Sequence, residues 1–203
     1  MCNIWYTIYM RIISSKFVTS VANKDKILID DKSQIAFVGR SNVGKSSLLN
    51  MLCGNSKLAK TSSTPGRTRL VNYFLINNDF YFVDLPGYGY AKASKSEVYS
   101  WQKLLEPYLI DNPRLKCVCV LVDIRHDPTE LDEQMISFLN YYQIPYIIVA
   151  TKADKFGKSK IKPMASKMAN CLKVASGNVY PISSINSYGK ENLLDKIEQF
   201  LQD

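Results

Sequence analysis

A glycine-rich segment early in the chain carries residue types that can bind phosphate groups. It reads G-x-x-x-x-G-K-S, and its members are Gly39, Arg40, Ser41, Asn42, Val43, Gly44, Lys45 and Ser46. The glycines let backbone N–H groups turn towards an anion, the lysine ammonium can reach the β- and γ-phosphates, and the serine hydroxyl can bind Mg²⁺. This spacing is that of a P-loop. We therefore predict a site for a nucleoside triphosphate.

A second segment, D-L-P-G, offers a carboxylate and a glycine that suit the same ligand. Its members are Asp84, Leu85, Pro86 and Gly87. An aspartate at the end of a strand can hold Mg²⁺ through a water, and the glycine N–H can bond the γ-phosphate. Asp84 and Ser46 are therefore expected to share a phosphate-bound Mg²⁺.

Two later segments indicate which base the site selects. The first is T-K-A-D, with Thr151, Lys152, Ala153 and Asp154, and the second is I-S-S, with Ile182, Ser183 and Ser184. A carboxylate can accept hydrogen bonds from N1–H and the 2-amino group of guanine, whereas an adenine nucleotide would leave that carboxylate unpaired. The Lys152 stem can lie along the base plane. Backbone N–H groups of I-S-S are expected to meet the guanine O6.

The segment 61–69 lies between the P-loop and the second strand and is small and polar. It is expected to form a loop that becomes ordered around the γ-phosphate and Mg²⁺. Thr68 is the candidate for a second Mg²⁺ hydroxyl, and Thr64 is the alternative.

Alternating apolar and amphipathic stretches predict the elements that position these motifs. Strands are expected at 34–38, 70–76, 80–84, 115–124, 145–150 and 179–182, and helices at 46–52, 96–110, 129–142, 160–175 and 189–201. The alternation predicts a three-layer α/β fold with a mostly parallel six-stranded sheet, in which the strand 70–76 is the one antiparallel member. In such sheets ligands bind at the carboxyl ends of the strands, where the motifs lie.

Composition limits the class of protein. A chain of 203 residues with 46% hydrophobic and 22% charged residues fits one soluble globular domain. The five cysteines form no C-x-x-C pair and His126 is the single histidine, which disfavours a structural zinc site and indicates a reducing cytoplasm. We expect a structural role for His126. The apolar segment 1–13 is too short to span a membrane. It is expected to be a tail, and the alternative is a start codon placed too early, with Met10 as the first residue.

Taken together, the motifs resemble those of the EngB family of bacterial GTP-binding proteins, in the TrmE-Era-EngA-EngB-Septin-like class. The segments that carry the resemblance are G-R-S-N-V-G-K-S, T-P-G-R-T, D-L-P-G-Y-G-Y-A, T-K-A-D and I-S-S, with further agreement at 17–22 and 123–128. The resemblance covers residues 14–203, which are expected to form a single Ras-like P-loop GTPase domain, and it leaves out the tail 1–13.

The resemblance implies a GTPase that acts as a switch in assembly of the large ribosomal subunit and is needed for normal cell division and septation. Besides the four motifs above, it implies GTP contacts by Gly66, Arg67, Thr68, Arg69 and Leu70. It also implies that Ser46 and Thr68 are Mg²⁺ ligands. Thr151 stands where the wider N-K-x-D pattern has asparagine, so one amide contact between this loop and the P-loop is lost.

The residue after D-L-P-G bears on hydrolysis. Ras-like enzymes have a glutamine there that orients the attacking water, whereas this chain has Tyr88. A bulky phenol is not expected to replace it, so we predict slow hydrolysis, well below the roughly 10 s⁻¹ of a median enzyme. Lys45, Asn42 and Thr68 are the catalytic candidates. Resemblance to potassium-activated GTPases suggests that Asn42 holds K⁺ against the phosphates; the alternative is an asparagine that only bonds backbone.

The net charge of +8 indicates a polyanionic partner such as RNA, DNA or an anionic membrane. The alternative is that the lysine-rich composition only keeps the protein soluble. Basic residues fall into three groups: Lys57, Lys60, Arg67 and Arg69; Lys92 and Lys95; and Lys152, Lys155, Lys158, Lys160, Lys162 and Lys167. With the family resemblance, the expected partner of this monomer is the precursor of the large ribosomal subunit, both its rRNA and its proteins.

Two other function classes remain open from the sequence. A P-loop kinase or ATPase is disfavoured by T-K-A-D. A membrane- or septum-associated signalling GTPase would use the apolar N-terminus together with the basic groups.

Overall fold

A single sheet forms the centre of the molecule. The computed structural model describes residues 10–22, 26–28, 30–59, 70–88 and 105–202. Within them, the strands are β1 Ser15–Val21, β2 Gln34–Gly39, β3 Val71–Ile76, β4 Phe80–Asp84, β5 Leu115–Asp123, β6 Tyr146–Thr151 and β7 Val179–Pro181. Their order across the sheet is β1-β3-β4-β2-β5-β6-β7.

The direction of the strands confirms the predicted class. β3 runs antiparallel to both of its neighbours, β1 and β4, whereas β2 pairs in parallel with β4 and β5, and β6 pairs in parallel with β5 and β7. The protein is therefore α/β with a mostly parallel sheet, and the predicted strand at 70–76 is the antiparallel one.

The described sheet has seven strands, one more than the six predicted, and the additional strand is β1. β1 lies at the edge of the sheet, and of its residues only Val21 is buried, while Phe17 is 53% exposed. Because an edge strand with a largely exposed surface lacks the apolar run that marks a buried strand, the sequence pattern does not reveal β1.

Helices cover both faces of the sheet. Their bounds are Lys45–Cys53, Glu130–Tyr141, Lys158–Leu172 and Lys190–Gln202, and residues 105–110 are also helical. The first and last of these helices pack on the face that contains Phe37 of β2. The two middle helices and the segment 105–110 pack on the face that contains Val38. The beginning of the predicted helix 96–110 lies outside the described residues.

Parallel strands bring the motifs to one edge. β2, β4, β5 and β6 end at Gly39, Asp84, Asp123 and Thr151, and all four run in the same direction. The loops that follow them therefore meet at the carboxyl edge of the sheet. None of the helices in the described parts of the chain has the length and apolar character needed to cross a membrane.

Candidate functional site

The P-loop connects the central strand to the first helix. All six residues of β2 are buried, so the strand fixes where the loop begins. Gly44 precedes the helix Lys45–Cys53 with φ of 105°, a backbone conformation that side chains rarely allow. No side chain caps this helix. Its first N–H groups therefore remain available for an anion, which the helix dipole also attracts.

Lys45 reaches from this helix to the end of β4. Its ammonium contacts the Asp84 carboxylate and donates to the Leu85 carbonyl at 2.7 Å. Both side chains are largely buried. Burial lowers the pKa of Lys45 to about 7, whereas the contact with Asp84 favours the charged ammonium. Lys45 and Asp84 are thus paired at the base of the site, and burial makes the proton of the lysine easier to lose.

The oxygen ligands near Lys45 suit a hard divalent cation. Asp84 ends β4, its other oxygen accepts a hydrogen bond from Asn72 Nδ2 at 3.4 Å, and Ser46 lies in the first turn of the facing helix. Among the described residues, no group of three His, Cys, Asp or Glu side chains could hold a metal by itself. A hydroxyl and a carboxylate fit Mg²⁺ provided that phosphate oxygens and water complete its shell.

The glycine of D-L-P-G lies directly against the P-loop. A Cβ atom on Gly87 would sit 3.0 Å from the Gly39 carbonyl oxygen, so any other residue here would crowd the P-loop backbone. The next residue continues the contact, because Tyr88 N–H donates to the Gly39 carbonyl at 3.2 Å and Ser41 N–H donates to the Tyr88 carbonyl at 3.1 Å. The start of this loop is therefore paired with the P-loop backbone.

The phenol of Tyr88 is bonded to a neighbouring helix. Its hydroxyl donates to Asp132 Oδ1 at 2.8 Å, and the ring is buried against the helix Glu130–Tyr141. Burial and then the neighbouring carboxylate raise the pKa of Tyr88 well above its usual value. Asp132 Oδ2 also accepts hydrogen bonds from Thr129, at the start of the same helix. Local sequence patterns do not reveal this pair, because the two residues lie 44 positions apart.

The T-K-A-D loop is tied to the P-loop despite its threonine. Thr151 Oγ1 donates to the Val43 carbonyl at 2.8 Å, and the bond is buried. Lys152 Nζ donates to the Asn42 carbonyl at 2.9 Å. The threonine hydroxyl thus links this loop to the P-loop, although the amide contact of an asparagine is absent.

Asp154 is oriented by the I-S-S segment. Ser183 Oγ donates to Asp154 Oδ1 at 3.0 Å and accepts from the N–H groups of Ile185 and Asn186. The exposed ammonium of Lys155 lies 3.5 Å from the other oxygen, Oδ2. Ser183 thus fixes one oxygen of the carboxylate, while the other oxygen pairs with an exposed lysine.

Two of the three I-S-S backbone N–H groups, which were expected to meet the guanine O6, already donate to carbonyls of the protein. Ile182 N–H donates to the Ala150 carbonyl at 2.8 Å, and Ser183 N–H donates to the Tyr188 carbonyl at 3.1 Å. Ala153 N–H donates back to the Ile182 carbonyl at 3.0 Å, which joins the T-K-A-D and I-S-S segments. Of the three I-S-S residues, Ser184 alone has an N–H without a hydrogen bond to another described residue.

A cavity of about 220 Å³ opens beside the P-loop. It is lined by Arg40, Ser41, Asn42, Val43, Leu121, Val122, Asp123, Arg125, His126, Asp127, Asp132 and Lys152. The expected site residues Gly66, Arg67, Thr68 and Arg69, and the alternative Thr64, lie outside the described residues, whereas Leu70 directly precedes β3. The four described motifs share one end of the sheet.

The chain is similar to known GTP-binding proteins along most of its length. Residues 34–152 match the family model described as 50S ribosome-binding GTPase. The chain is 50% identical over 189 residues to "Probable GTP-binding protein EngB" of Clostridium beijerinckii, with 93% of this chain and 96% of that protein covered. It is 49% identical over 193 residues to the protein of the same name from Clostridium kluyveri, covering 95% and 98%.

Solved structures show the same fold. A crystal structure of a probable GTP-binding protein engB has a TM-score of 0.69 at 24% identity, covering 84% of this chain and 99% of that one. Era in complex with MgGDPNP and nucleotides 1506–1542 of 16S ribosomal RNA has a TM-score of 0.60 at 26% identity, covering 84% and 56%.

Proposed function

Because the chain belongs to the EngB family of GTP-binding proteins, we propose that it binds GTP and GDP at the carboxyl edge of the sheet and works as a slow GTPase switch in assembly of the large ribosomal subunit. One observation carries the proposal: the buried bond from Thr151 to the Val43 carbonyl joins the base-selecting loop to the P-loop. A phosphate site and a guanine site thus form one unit.

Guanine selectivity follows from Asp154. Ser183 holds one carboxylate oxygen, so the carboxylate is oriented before a ligand arrives. Guanine N1–H and its amino group donate to such a carboxylate, and adenine does not. In this proposal GTP is contacted by the P-loop, the D-L-P-G, T-K-A-D and I-S-S segments, and residues 66–70.

Mg²⁺ is the proposed cofactor, with Ser46 and Thr68 as direct ligands and Asp84 bound through a water. The described hydroxyl and carboxylate are hard oxygen ligands of the kind that Mg²⁺ prefers. The ion would neutralise charge on the β- and γ-phosphates. A bound triphosphate would also offer the Lys45 ammonium a stronger partner than Asp84.

Hydrolysis is proposed to be slow, because Tyr88 stands where Ras-like enzymes have the water-orienting glutamine and the proton of its hydroxyl is already donated to Asp132. Lys45, Asn42 and Thr68 are the proposed catalytic contacts, and K⁺ held by Asn42 or binding to the ribosome would stimulate turnover. Asn42 is exposed and has φ of 65°, which asparagine tolerates better than most residues. The backbone conformation alone is thus a second reason for asparagine at this position.

The proposed partner is the precursor of the large ribosomal subunit, bound by a cytoplasmic monomer that supports cell division and septation. Support comes from the charge and from exposed lysines beside the base-selecting loop. The helix Lys158–Leu172 contains no acidic residue, and Lys155, Lys158, Lys160, Lys162 and Lys167 are exposed. Lys167 pairs with Asp127 at 2.6 Å and Lys155 with Asp154 at 3.5 Å, which leaves Lys158, Lys160 and Lys162 to face a polyanion.

Sedimentation with purified large ribosomal subunits tests the proposed function. We expect binding that is stronger with a GTP analogue than with GDP and that weakens steeply with salt. Lys158→Gln with Lys162→Gln should reduce the slope of log K against log salt by about 1.5. Lys16→Gln with Lys196→Gln removes the same charge elsewhere and should leave most binding intact. Binding that ignores nucleotide and salt, or equal binding to anionic vesicles, would contradict the proposal.

A further inference from the structure

Asp123 and Lys152 emerge side by side from neighbouring strands. Asp123 is the last residue of β5, and its register partner Thr151 is the last residue of β6. The residue after Thr151 is Lys152, so the strand pairing itself places the carboxylate next to the ammonium. The distance from Lys152 Nζ to Asp123 Oδ2 is 2.9 Å.

The Asp123 carboxylate is fixed independently of Lys152. Arg125 Nε donates to Oδ1 at 2.9 Å, Arg125 Nη2 donates to Oδ2 at 2.7 Å, and the Arg125 backbone N–H donates to Oδ1 at 3.1 Å. A guanidinium fork and a backbone donor thus set the plane of the carboxylate. Burial opposes ionisation, but the hydrogen bonds from Arg125 and Lys152 outweigh it and hold the pKa of Asp123 below its usual range.

Lys152 is anchored at both its backbone and its ammonium. Its φ of 63° lies in the left-handed region and sets the direction in which the stem leaves the chain. The ammonium binds Asp123 on one side and the Asn42 carbonyl of the P-loop on the other, at 2.9 Å each. A lysine stem is otherwise among the most flexible side chains, so these anchors remove rotamer freedom before any ligand binds.

We propose that Asp123 is a positioning residue for guanine-nucleotide binding. It fixes the Lys152 ammonium against the P-loop, so that the lysine stem is already held in place when the base packs against it. This inference rests on the proposed function, because it takes the base to lie beside Lys152. Ordering the stem in advance raises affinity, since binding no longer has to immobilise a free side chain. Asp123 acts through Lys152 and need not contact the nucleotide.

A purely structural role for Asp123 makes a different prediction. If the carboxylate only stabilised the loop after β5, its loss would destabilise the whole P-loop region. Every phosphate ligand would then bind with lower affinity. A positioning role affects the base-bearing part of the ligand alone. Tripolyphosphate, which offers phosphates to the P-loop without a base, therefore separates the two roles.

The test compares Asp123→Asn with Asp127→Asn, which removes a carboxylate from the same loop that pairs with Lys167 instead. Wild type and both variants are titrated with GDP, ADP and tripolyphosphate, and their thermal unfolding is recorded. Asp123→Asn should weaken GDP binding about tenfold, the worth of a charge-assisted hydrogen bond, and tripolyphosphate binding less than twofold. Asp127→Asn should leave both unchanged.

A double-mutant cycle shows whether Asp123 acts through Lys152. In a Lys152→Met background, Asp123→Asn should cause no further loss of GDP affinity. Should Asp123→Asn fail to fold, Arg125→Gln loosens the carboxylate while retaining its charge, and a smaller loss confined to GDP is expected. Equal losses for GDP and tripolyphosphate, or an unchanged GDP affinity in the folded variants, would overturn the inference. Wild-type binding of GDP and ADP with equal affinity would instead refute the proposed function.

Discussion

The hydroxyl of Tyr88 donates a hydrogen bond to the buried carboxylate of Asp132, and this bond joins the loop after β4 to the helix Glu130–Tyr141. The backbone of the same tyrosine pairs with Gly39 and Ser41 of the P-loop. One residue thus connects the P-loop to a neighbouring helix, through its backbone on one side and its hydroxyl on the other.

Replacing Tyr88 with phenylalanine should destabilise the protein without slowing hydrolysis. The change leaves a buried oxygen of Asp132 with one partner fewer, which costs about 1–3 kcal/mol in the free energy of unfolding. Turnover of GTP should stay within twofold of wild type, because the phenol orients no water. Tyr81→Phe, which removes a similar bond to Asp30 at the other end of the sheet, is the control. A tenfold slower turnover in Tyr88→Phe alone would assign the phenol a catalytic role.

Thr151→Val should separate the base-selecting loop from the P-loop. Valine has nearly the same shape, but it leaves the buried Val43 carbonyl without the donor at 2.8 Å. We expect a loss of about 1–3 kcal/mol in unfolding free energy and roughly tenfold faster release of GDP, measured with a fluorescent analogue. Thr151→Ser retains the hydroxyl and should behave nearly as wild type. Identical release rates for the valine and serine variants would show that the bond is not needed.

Nucleotide binding should take up a proton above neutral pH. Burial places the pKa of Lys45 near 7 without ligand, and bound phosphates favour the ammonium form, so the pKa rises on binding. As pH increases above 7, the free lysine loses its proton and affinity for GDP falls, at most about tenfold per pH unit. Calorimetry at pH 8 in buffers of different ionisation enthalpy measures the uptake.

Lys45→Arg is the control for this measurement, because a guanidinium stays charged throughout the range and should show no proton uptake. No uptake by the wild-type protein at pH 8 would contradict the prediction. It would mean that the contact with Asp84 keeps Lys45 protonated in the free protein.

Potassium should stimulate hydrolysis through the Asn42 side chain. We expect faster turnover in K⁺ than in Na⁺ for wild type, and loss of that difference in Asn42→Gly, which keeps the positive φ but removes the carbonyl ligand. Asn42→Asp retains both the backbone preference and an oxygen ligand and should keep the K⁺ effect. Equal rates of the wild-type protein in the two salts would eliminate a role for potassium.

Local patterns in the sequence were enough to predict most of the fold. The buried strands and the glycine spacing of the P-loop are short-range signals, and the expected strand bounds at 80–84 agree with β4. The edge strand β1 was not predicted, because its side chains are largely exposed and form no apolar run. An edge strand is recognised by its partner β3, which the sequence pattern does not identify.

The side-chain contacts that organise the site could not be predicted from the sequence. Asp132 and Tyr88, and Asp123 and Lys152, each come from separate elements that only the folded sheet brings together. Asp123 lies in a segment that already resembled the family, but its role depends on the register of β5 against β6. Residue type and local spacing hold no information about such pairings.

Binding selectivity for guanine tests the central claim most directly. Calorimetry with GTP, ATP and xanthosine triphosphate should show wild type binding GTP roughly 10³-fold or more tightly than ATP, because only guanine satisfies the carboxylate of Asp154. Asp154→Asn replaces an acceptor with an amide, so it should lose GTP affinity and gain affinity for xanthosine triphosphate. Equal binding of ATP and GTP by wild type, or an Asp154→Asn variant with unchanged preference, would contradict the account.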